Sequence, residues 1–238
     1  MKRGPEDSGE KGGNMAWRRY LVFDLDGTLI DSAPDIADAV NALLGELGKA
    51  PLELEAIKRM IGDGAPVLLE RALAASGIQE AAAGFMPRFK TLYEAASTNR
   101  TELYPKVREI LESFRREDRR LALCTNKPEA ATRLVLKHFG LEALFQTVIG
   151  GDSLKERKPA KEPLLRAIRQ AGGTDTSSTE AVMIGDSHTD LATAKAASVE
   201  AIIIPSGYGR AADAATQGAF HEVARFADLP PLLEKLDR

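Results

Sequence analysis

The 238-residue sequence predicts an α/β fold in which an all-helical block interrupts a core built on a parallel sheet. Apolar runs of strand length alternate with helical runs between residues 107 and 204, which is typical of a Rossmann-like parallel sheet with helices on both faces. A first strand-like run at residues 19–23 is separated from these by a long stretch with helical patterns only. The core is therefore predicted to be discontinuous in sequence.

Core strands are predicted where a short apolar run ends in turn-forming or polar residues. After the run at residues 19–23, Gly27 breaks the pattern and lets the chain leave the sheet. The later strands are predicted at residues 121–124, 147–149, 182–184 and 201–204. Residues 220–236 are expected to complete the core with a last short strand and a helix.

The inserted block begins with an amphipathic helix that Gly48 ends. Its apolar face is formed by Ile36, Val40, Leu43, Leu44 and Leu47. Further helices are predicted at residues 54–61, 67–75 and 85–96, and no strand pattern interrupts them.

These patterns divide the chain into three parts. Residues 1–14 are charged and glycine-rich, so we predict a disordered tail, and Met15 is an alternative to Met1 as the natural start. Residues 15–30 and 100–238 are predicted to form the core domain. Residues 31–99 are predicted to form a helical cap domain, called the cap below.

Charge and hydropathy exclude several classes of function. The 32 basic and 35 acidic residues give a net charge of -3 and form no basic stripe, so no nucleic acid is expected as a partner. No apolar stretch approaches the roughly 20 residues of a membrane helix, so we expect a soluble cytoplasmic protein. The single cysteine, Cys124, is expected to be a small buried side chain. The oligomeric state stays open.

Two carboxylates, Asp24 and Asp26, follow the first predicted strand. In an open α/β sheet, ligands bind at the carboxyl ends of the strands. Paired carboxylates are costly to bring together there unless a cation or a proton neutralises them. The pair therefore indicates a metal site with a candidate nucleophile.

Three later segments carry groups that phosphoryl transfer needs. Thr125 and Asn126 offer a hydroxyl and a backbone amide to an anionic oxygen at a strand end. A cation from the cluster of Lys155, Arg157 and Lys158 is able to neutralise charge, and Asp186 and Asp190 follow another strand. Each segment also fits a local structural role, as a turn, a solvated charge cluster or a helix cap. Four such strand ends in this order favour phosphoryl transfer.

The four segments stand in the order found in the haloacid-dehalogenase-like phosphohydrolases, which the chain resembles from about Tyr20 to its C-terminus. Within that family, residues 24–32 and 60–73 are most similar to the phosphoglycolate phosphatases. The resemblance implies a cap that closes over the carboxyl edge of the sheet. It places the joints between core and cap near residues 29–32 and 98–105.

The resemblance also implies roles for the acidic residues. Asp24 is expected to be the nucleophile that forms an aspartyl-phosphate, and Asp26 the general acid and base. Mg²⁺ is the expected cofactor, with Asp24 and Asp186 as side-chain ligands and Asp26 as a ligand through its backbone carbonyl. Asp190 is expected to lie behind these ligands.

Phosphate binding is assigned by the same resemblance to Thr125, to the amide of Asn126 and to Lys158, which is also expected to be catalytic. Dehalogenases of this fold lack the second carboxylate, because a halide needs no proton to leave. The presence of Asp26 therefore favours phosphate esters as substrates.

The expected partner is a small phosphorylated metabolite, with 2-phosphoglycolate as the leading candidate. A sugar phosphate, N-acetylmuramic acid 6-phosphate and a phosphomutase reaction are the alternatives. A non-catalytic binding protein is disfavoured, because the chain keeps Asp24, Asp26 and Lys158. In the cap, the loop at residues 62–64 is expected to place backbone amides facing the site, and Arg71 is either a solvated helix residue or a ligand of a substrate carboxylate.

Overall fold

Six strands of the described residues form one sheet whose neighbouring strands are all parallel: β5 (Thr147–Ile149), β4 (Arg120–Cys124), β1 (Tyr20–Phe23), β6 (Ala181–Gly185), β7 (Glu200–Ile203) and β8 (His221–Glu222), in this order across the sheet. The computed structural model describes residues 17–174, 177–205, 207–208 and 220–238; the predicted tail at residues 1–14 and both candidate start methionines lie outside them. The other strands in these residues are β2 (Ile30–Asp31) and β3 (Glu102–Leu103).

The register of the sheet brings the ends of its central strands together. Val22 of β1 pairs with Ala122 of β4 on one side and with Met183 of β6 on the other. All four residues of β1 are buried, because helices cover both faces of the sheet. Residues that follow β1, β4 and β6 consequently meet at one edge.

Nine helices lie in the described residues. They are α1 (Ala33–Glu46), α2 (Leu54–Lys58), α3 (Ala65–Ala75), α4 (Met86–Glu94), α5 (Val107–Arg116), α6 (Glu129–His138), α7 (Glu162–Gln170), α8 (His188–Ala197) and α9 (Leu229–Leu236). Among them, none has the length and hydropathy needed to cross a membrane.

The cap is formed by α1 to α4, which share a hydrophobic cluster of their own that includes Val40, Leu44, Leu69 and Phe89. Because these helices lie between β2 and β3 in the chain, the predicted fold class is confirmed: a parallel sheet core with an inserted helical cap. The boundaries at residues 31 and 99 stay predictions.

A two-stranded antiparallel ladder joins the cap to the core. Ile30 of β2 pairs with Leu103 of β3, and Asp31 pairs with Glu102. The sequence analysis predicted joints in this region but no strands, because two residues are too few to show a periodicity. Both chain crossings between core and cap therefore run side by side.

Asp35, at the start of α1, is hydrogen-bonded to the chain where it returns from the cap to the core. Its buried carboxylate accepts hydrogen bonds from the backbone N–H groups of Arg100 and Thr101, both at 2.9 Å, and from Thr101 Oγ1 at 2.6 Å. Asp35→Ala is expected to lower the free energy of unfolding by about 2–4 kcal/mol, because it strands several buried donors. Urea unfolding measures this.

Asp38→Ala is the matched control, since Asp38 is exposed and pairs only with the Arg100 side chain at the surface among the described contacts. A surface ion pair contributes little to stability. Equal losses in the two variants would contradict the role of Asp35.

Cys124 ends β4 and is completely buried. Burial raises the pKa of its thiol to about 12, although Lys158 opposes the shift. The thiol is therefore neutral and packs as the small buried side chain that the sequence predicts.

Candidate active site

The six predicted site residues converge on the carboxyl edge of the sheet. Asp24, Thr125 and Asp186 follow directly after β1, β4 and β6. Lys158 reaches the same place from the loop between β5 and α7, where its ammonium lies beside Asp24. Five of the six residues are buried, and Asp26 is partly exposed.

Lys158 is the cation beside Asp24 and Asp190. Its Nζ lies 2.9 Å from Asp24 Oδ1 and 2.6 Å from Asp190 Oδ1. The approach to Asp190 has hydrogen-bond geometry, whereas the Asp24 oxygen has no hydrogen bond among the described contacts, so that contact is one of charge. Lys155 and Arg157, the alternatives from the sequence, are exposed.

The charges around Asp24 favour the binding of a further cation. Burial raises the pKa of Asp24 to about 6; Lys158 opposes this shift and Asp190 adds to it. Burial alone would lower the pKa of Lys158, but Asp190 and Asp24 outweigh it and hold this pKa above its usual value. One ammonium therefore faces several carboxylates, and a bound cation would restore the ionised form of Asp24.

Asp24, Asp186 and Asp190 each offer a carboxylate oxygen within 4.8 Å of the others. Both oxygens of Asp190 are already used: Oδ1 binds Lys158, and Oδ2 accepts from Ser187 Oγ at 2.6 Å and from the N–H of Asp186 at 3.2 Å. Ser187 and Asp190 thus form the capping box at the start of α8. The position of Asp190 behind the metal ligands stays a prediction.

Two glycines pack closely against the carboxylate of Asp186. Gly27 has a φ of +86°, and a Cβ there or at Gly207 would collide with Asp186 Oδ2. The N–H of Tyr208 donates to the same oxygen at 2.6 Å. Tyr208 also donates from its hydroxyl to Asp31 in β2 at 2.6 Å, so it connects this carboxylate to the joint of the cap. The sequence analysis missed Tyr208.

The side chain of Asp26 points away from the other carboxylates. It accepts a hydrogen bond from Ser32 Oγ at 2.5 Å, and Lys127 Nζ lies 2.9 Å from its Oδ1 and 3.2 Å from its Oδ2. Lys127 is itself buried and also donates to the hydroxyl of Tyr93 in α4. No role was predicted for Lys127 from the sequence.

Thr125 and Asn126 connect the edge of the sheet to its surroundings. Thr125 Oγ1 accepts from the N–H of Lys127 at 3.2 Å. The Asn126 side chain donates to the carbonyl oxygen of Lys158 at 3.1 Å and to that of Gly62 in the cap at 3.0 Å. The loop at residues 62–64 therefore contacts Asn126 through the carbonyl oxygen of Gly62, whereas backbone amides facing the site were expected there.

Arg71 stabilises this cap loop. It pairs with Asp63 Oδ2 at 2.6 Å and donates to the carbonyl oxygen of Met60 at 3.1 Å, while Thr189 in the core donates to Asp63 Oδ1 at 3.0 Å. Burial by itself would raise the pKa of Asp63, but the hydrogen bonds from Arg71 and Thr189 hold this pKa below its usual value. The structural interpretation of Arg71 is therefore favoured.

A cavity lies between the cap and the edge of the sheet. On the core side it is lined by Asp24, Asp26, Thr125, Asn126 and Lys127. The cap lines it mainly with apolar side chains, among them Ile36, Ile61, Leu68, Met86 and Phe89. The two acids and two of the phosphate-binding candidates, Thr125 and Asn126, thus line a space that the cap covers.

The haloacid dehalogenase-like hydrolase model matches residues 21–204, which is most of the chain. This chain belongs to the haloacid dehalogenase-like hydrolase family. The matched part of this haloacid dehalogenase-like hydrolase starts inside β1 and ends just after β7, so it contains both the clustered carboxylates and the cap.

Several relatives are similar in sequence or structure to this chain over most of its length. A phosphoglycolate phosphatase of Cereibacter sphaeroides is 42% identical over 221 residues, covering 91% of this chain and 98% of that protein. One of Rhodospirillum rubrum is 39% identical over 218 residues, covering 89% of each chain. The crystal structure of a predicted phosphoglycolate phosphatase from Haemophilus somnus matches with a TM-score of 0.83 at 29% identity, covering 90% of this chain and 97% of the other.

Proposed function

We propose that the protein is a Mg²⁺-dependent phosphatase that hydrolyses a small phosphate monoester, with 2-phosphoglycolate as the leading substrate. The observation that carries the proposal is the buried contact of Lys158 with Asp24, beside Asp186 and next to a cavity that Asp24 and Asp26 line. The names of the relatives in Cereibacter sphaeroides and Rhodospirillum rubrum support the same substrate.

In the first step, a carboxylate oxygen of Asp24 attacks phosphorus and the bond from phosphorus to the ester oxygen breaks, which leaves an aspartyl-phosphate. Lys158, the Thr125 hydroxyl and the Asn126 amide hold the phosphoryl oxygens while their charge shifts. Lys158 is suited to this because its ammonium is buried next to Asp24 and Asp190, where charge interactions are poorly screened.

Asp26 acts as the general acid and then as the general base. It gives a proton to the leaving alkoxide and then takes one from the water that attacks the aspartyl-phosphate. The hydrogen bond from Ser32 and the contact with Lys127 hold its carboxyl group in the lining of the cavity, apart from the clustered acids. A dehalogenase would need no such group, because its halide leaves without a proton.

The residues present fit a magnesium ion. Asp24 and Asp186 would bind it through carboxylate oxygens, and Asp26 through its backbone carbonyl, since Mg²⁺ prefers oxygen ligands. The excess of buried carboxylates over cations at this edge supports the fit. When bound, the ion shields the charge of the phosphate dianion from the attacking carboxylate.

Phosphate release from a panel of esters tests the proposal. We expect turnover of 2-phosphoglycolate with a kcat/KM at least about tenfold above sugar phosphates, N-acetylmuramic acid 6-phosphate and nucleotides, and none after chelation of Mg²⁺. Preference for another ester would keep the mechanism and discard the substrate. Hydrolysis without metal would contradict the magnesium site, and phosphate transfer between sugar positions would indicate a phosphomutase.

A further inference from the structure

Lys127 is a buried cation at the floor of the cavity, where the organic part of a substrate must lie. Its side chain is 4% exposed, and its Nζ is 2.9 Å from the nearer Asp26 oxygen. It also lies 4.6 Å from the centre of the Tyr93 ring and donates to the Tyr93 hydroxyl. Lys127 thus connects the core acid to the cap.

The hydrogen bonds of this pair leave one donor free and one that a ligand can take over. A lysine ammonium has three N–H groups. Within the described part of the chain, the three hydrogen bonds of Lys127 go to the two Asp26 oxygens and to the Tyr93 oxygen, and the longer bond to Asp26, at 3.2 Å, is the one that a further acceptor can replace. Because Tyr93 accepts from Lys127, its own hydroxyl proton is also available to an acceptor in the cavity.

The other cations near the cavity are placed differently. Lys90 lies at the rim, where its side chain is 61% exposed and faces Glu94 at 3.7 Å. Arg71 is paired with Asp63 and does not line the cavity. The cap lines the cavity mainly with apolar side chains, where an anion is stabilised best beside a buried cation, and in the described lining that cation is Lys127.

We propose that Lys127 and Tyr93 bind a carboxylate on the leaving group of the substrate, one carbon away from the ester oxygen. This proposal rests on the proposed function and deepens it. The ester oxygen must lie against Asp26 to be protonated, and Lys127 lies within hydrogen-bond distance of the same carboxyl group. A carboxylate attached through a single carbon therefore reaches the Lys127 ammonium and the Tyr93 hydroxyl together.

Two esters that differ only in this group test the subsite. With Mg²⁺ present, kcat/KM is measured for 2-phosphoglycolate and for 2-hydroxyethyl phosphate, which carries a neutral CH₂OH in place of the carboxylate. Lys127→Met is expected to lower the preference for the carboxylate ester by about 10- to 100-fold, because a charge-assisted hydrogen bond is lost. Tyr93→Phe, which leaves Asp26 and Lys127 in place, is expected to lower it by about fivefold.

Lys90→Met is the matched control, and its preference is expected to equal that of the wild type. The subsite is overturned if Lys127→Met lowers kcat/KM equally for both esters and Tyr93→Phe leaves the preference unchanged. That result would mean that Lys127 only positions Asp26. No turnover of any phosphate ester by the wild type with Mg²⁺ would instead overturn the proposed function. Far-ultraviolet circular dichroism of each variant verifies that it is folded.

Discussion

Asp24→Asn is expected to lower kcat by at least about 10⁴-fold, because an amide cannot form the aspartyl-phosphate. The same change is expected to raise stability in the absence of metal. The folded-state pKa of Asp24, about 6, lies above the usual value of 3.8, so the folded protein loses stability as the pH rises through this range. Above about pH 6 the neutral amide removes that penalty.

Phosphate release and thermal unfolding in EDTA measure the two effects. The gain in melting temperature should be present at about pH 8 and small at about pH 4, where the wild-type carboxyl is protonated. Asp38→Asn at the surface is the control and should change neither activity nor melting temperature. Activity of Asp24→Asn within tenfold of the wild type would remove the nucleophile assignment.

Lys158→Met is expected to cause the largest loss of stability, about 3–5 kcal/mol, together with loss of activity. Its ammonium lies 2.9 Å from Asp24 and 2.6 Å from Asp190, and all three side chains are buried. Removing the cation leaves carboxylates in the protein interior without a partner. Urea unfolding in EDTA at about pH 8 measures this loss, and Lys155→Met, an exposed lysine of the same loop, is the control.

Adding Asp190→Asn to Lys158→Met is expected to recover part of the stability, because it removes one of the stranded charges. Activity is not expected to return, since the phosphoryl oxygens still lack their cation. If Lys158→Met unfolds at the same urea concentration as Lys155→Met, the account of this buried cluster is wrong.

The core strands were predictable because each is a short apolar run that ends at a polar residue. In β1, β4 and β6 the residues are buried almost throughout, and the predicted bounds differ from the observed ones by one residue at most at each end. The ladder of β2 and β3 was not predictable, since its pairing depends on residues far apart in the chain.

Within the site, the residues that follow strands were predictable and the contacts between loops were not. The positions of Asp24, Asp26 and Asp186 follow from parallel strands ending at one edge. The partners of Lys127 were not predictable from strand register, because Asp26 lies in the loop after β1 and Tyr93 lies in α4. The place of Lys127 beside Thr125 and Asn126 is the only signal in the sequence.

The same limit applies to the cap loop. Arg71 and Asp63 are eight residues apart, a spacing that predicts no contact along a single helix. The turn at Gly64, with a φ of +90°, redirects the chain before α3 and brings the two side chains together. Only the three-dimensional path of the loop decides between a substrate ligand and a structural pair.

The central claim is that phosphate is transferred first to Asp24 and only then to water. The measurement that tests it most directly is the configuration at phosphorus when the best ester of the panel, made chiral with sulfur and oxygen isotopes, is hydrolysed. Two successive in-line displacements predict retention of configuration. Inversion would mean that water attacks the ester directly and would contradict the account.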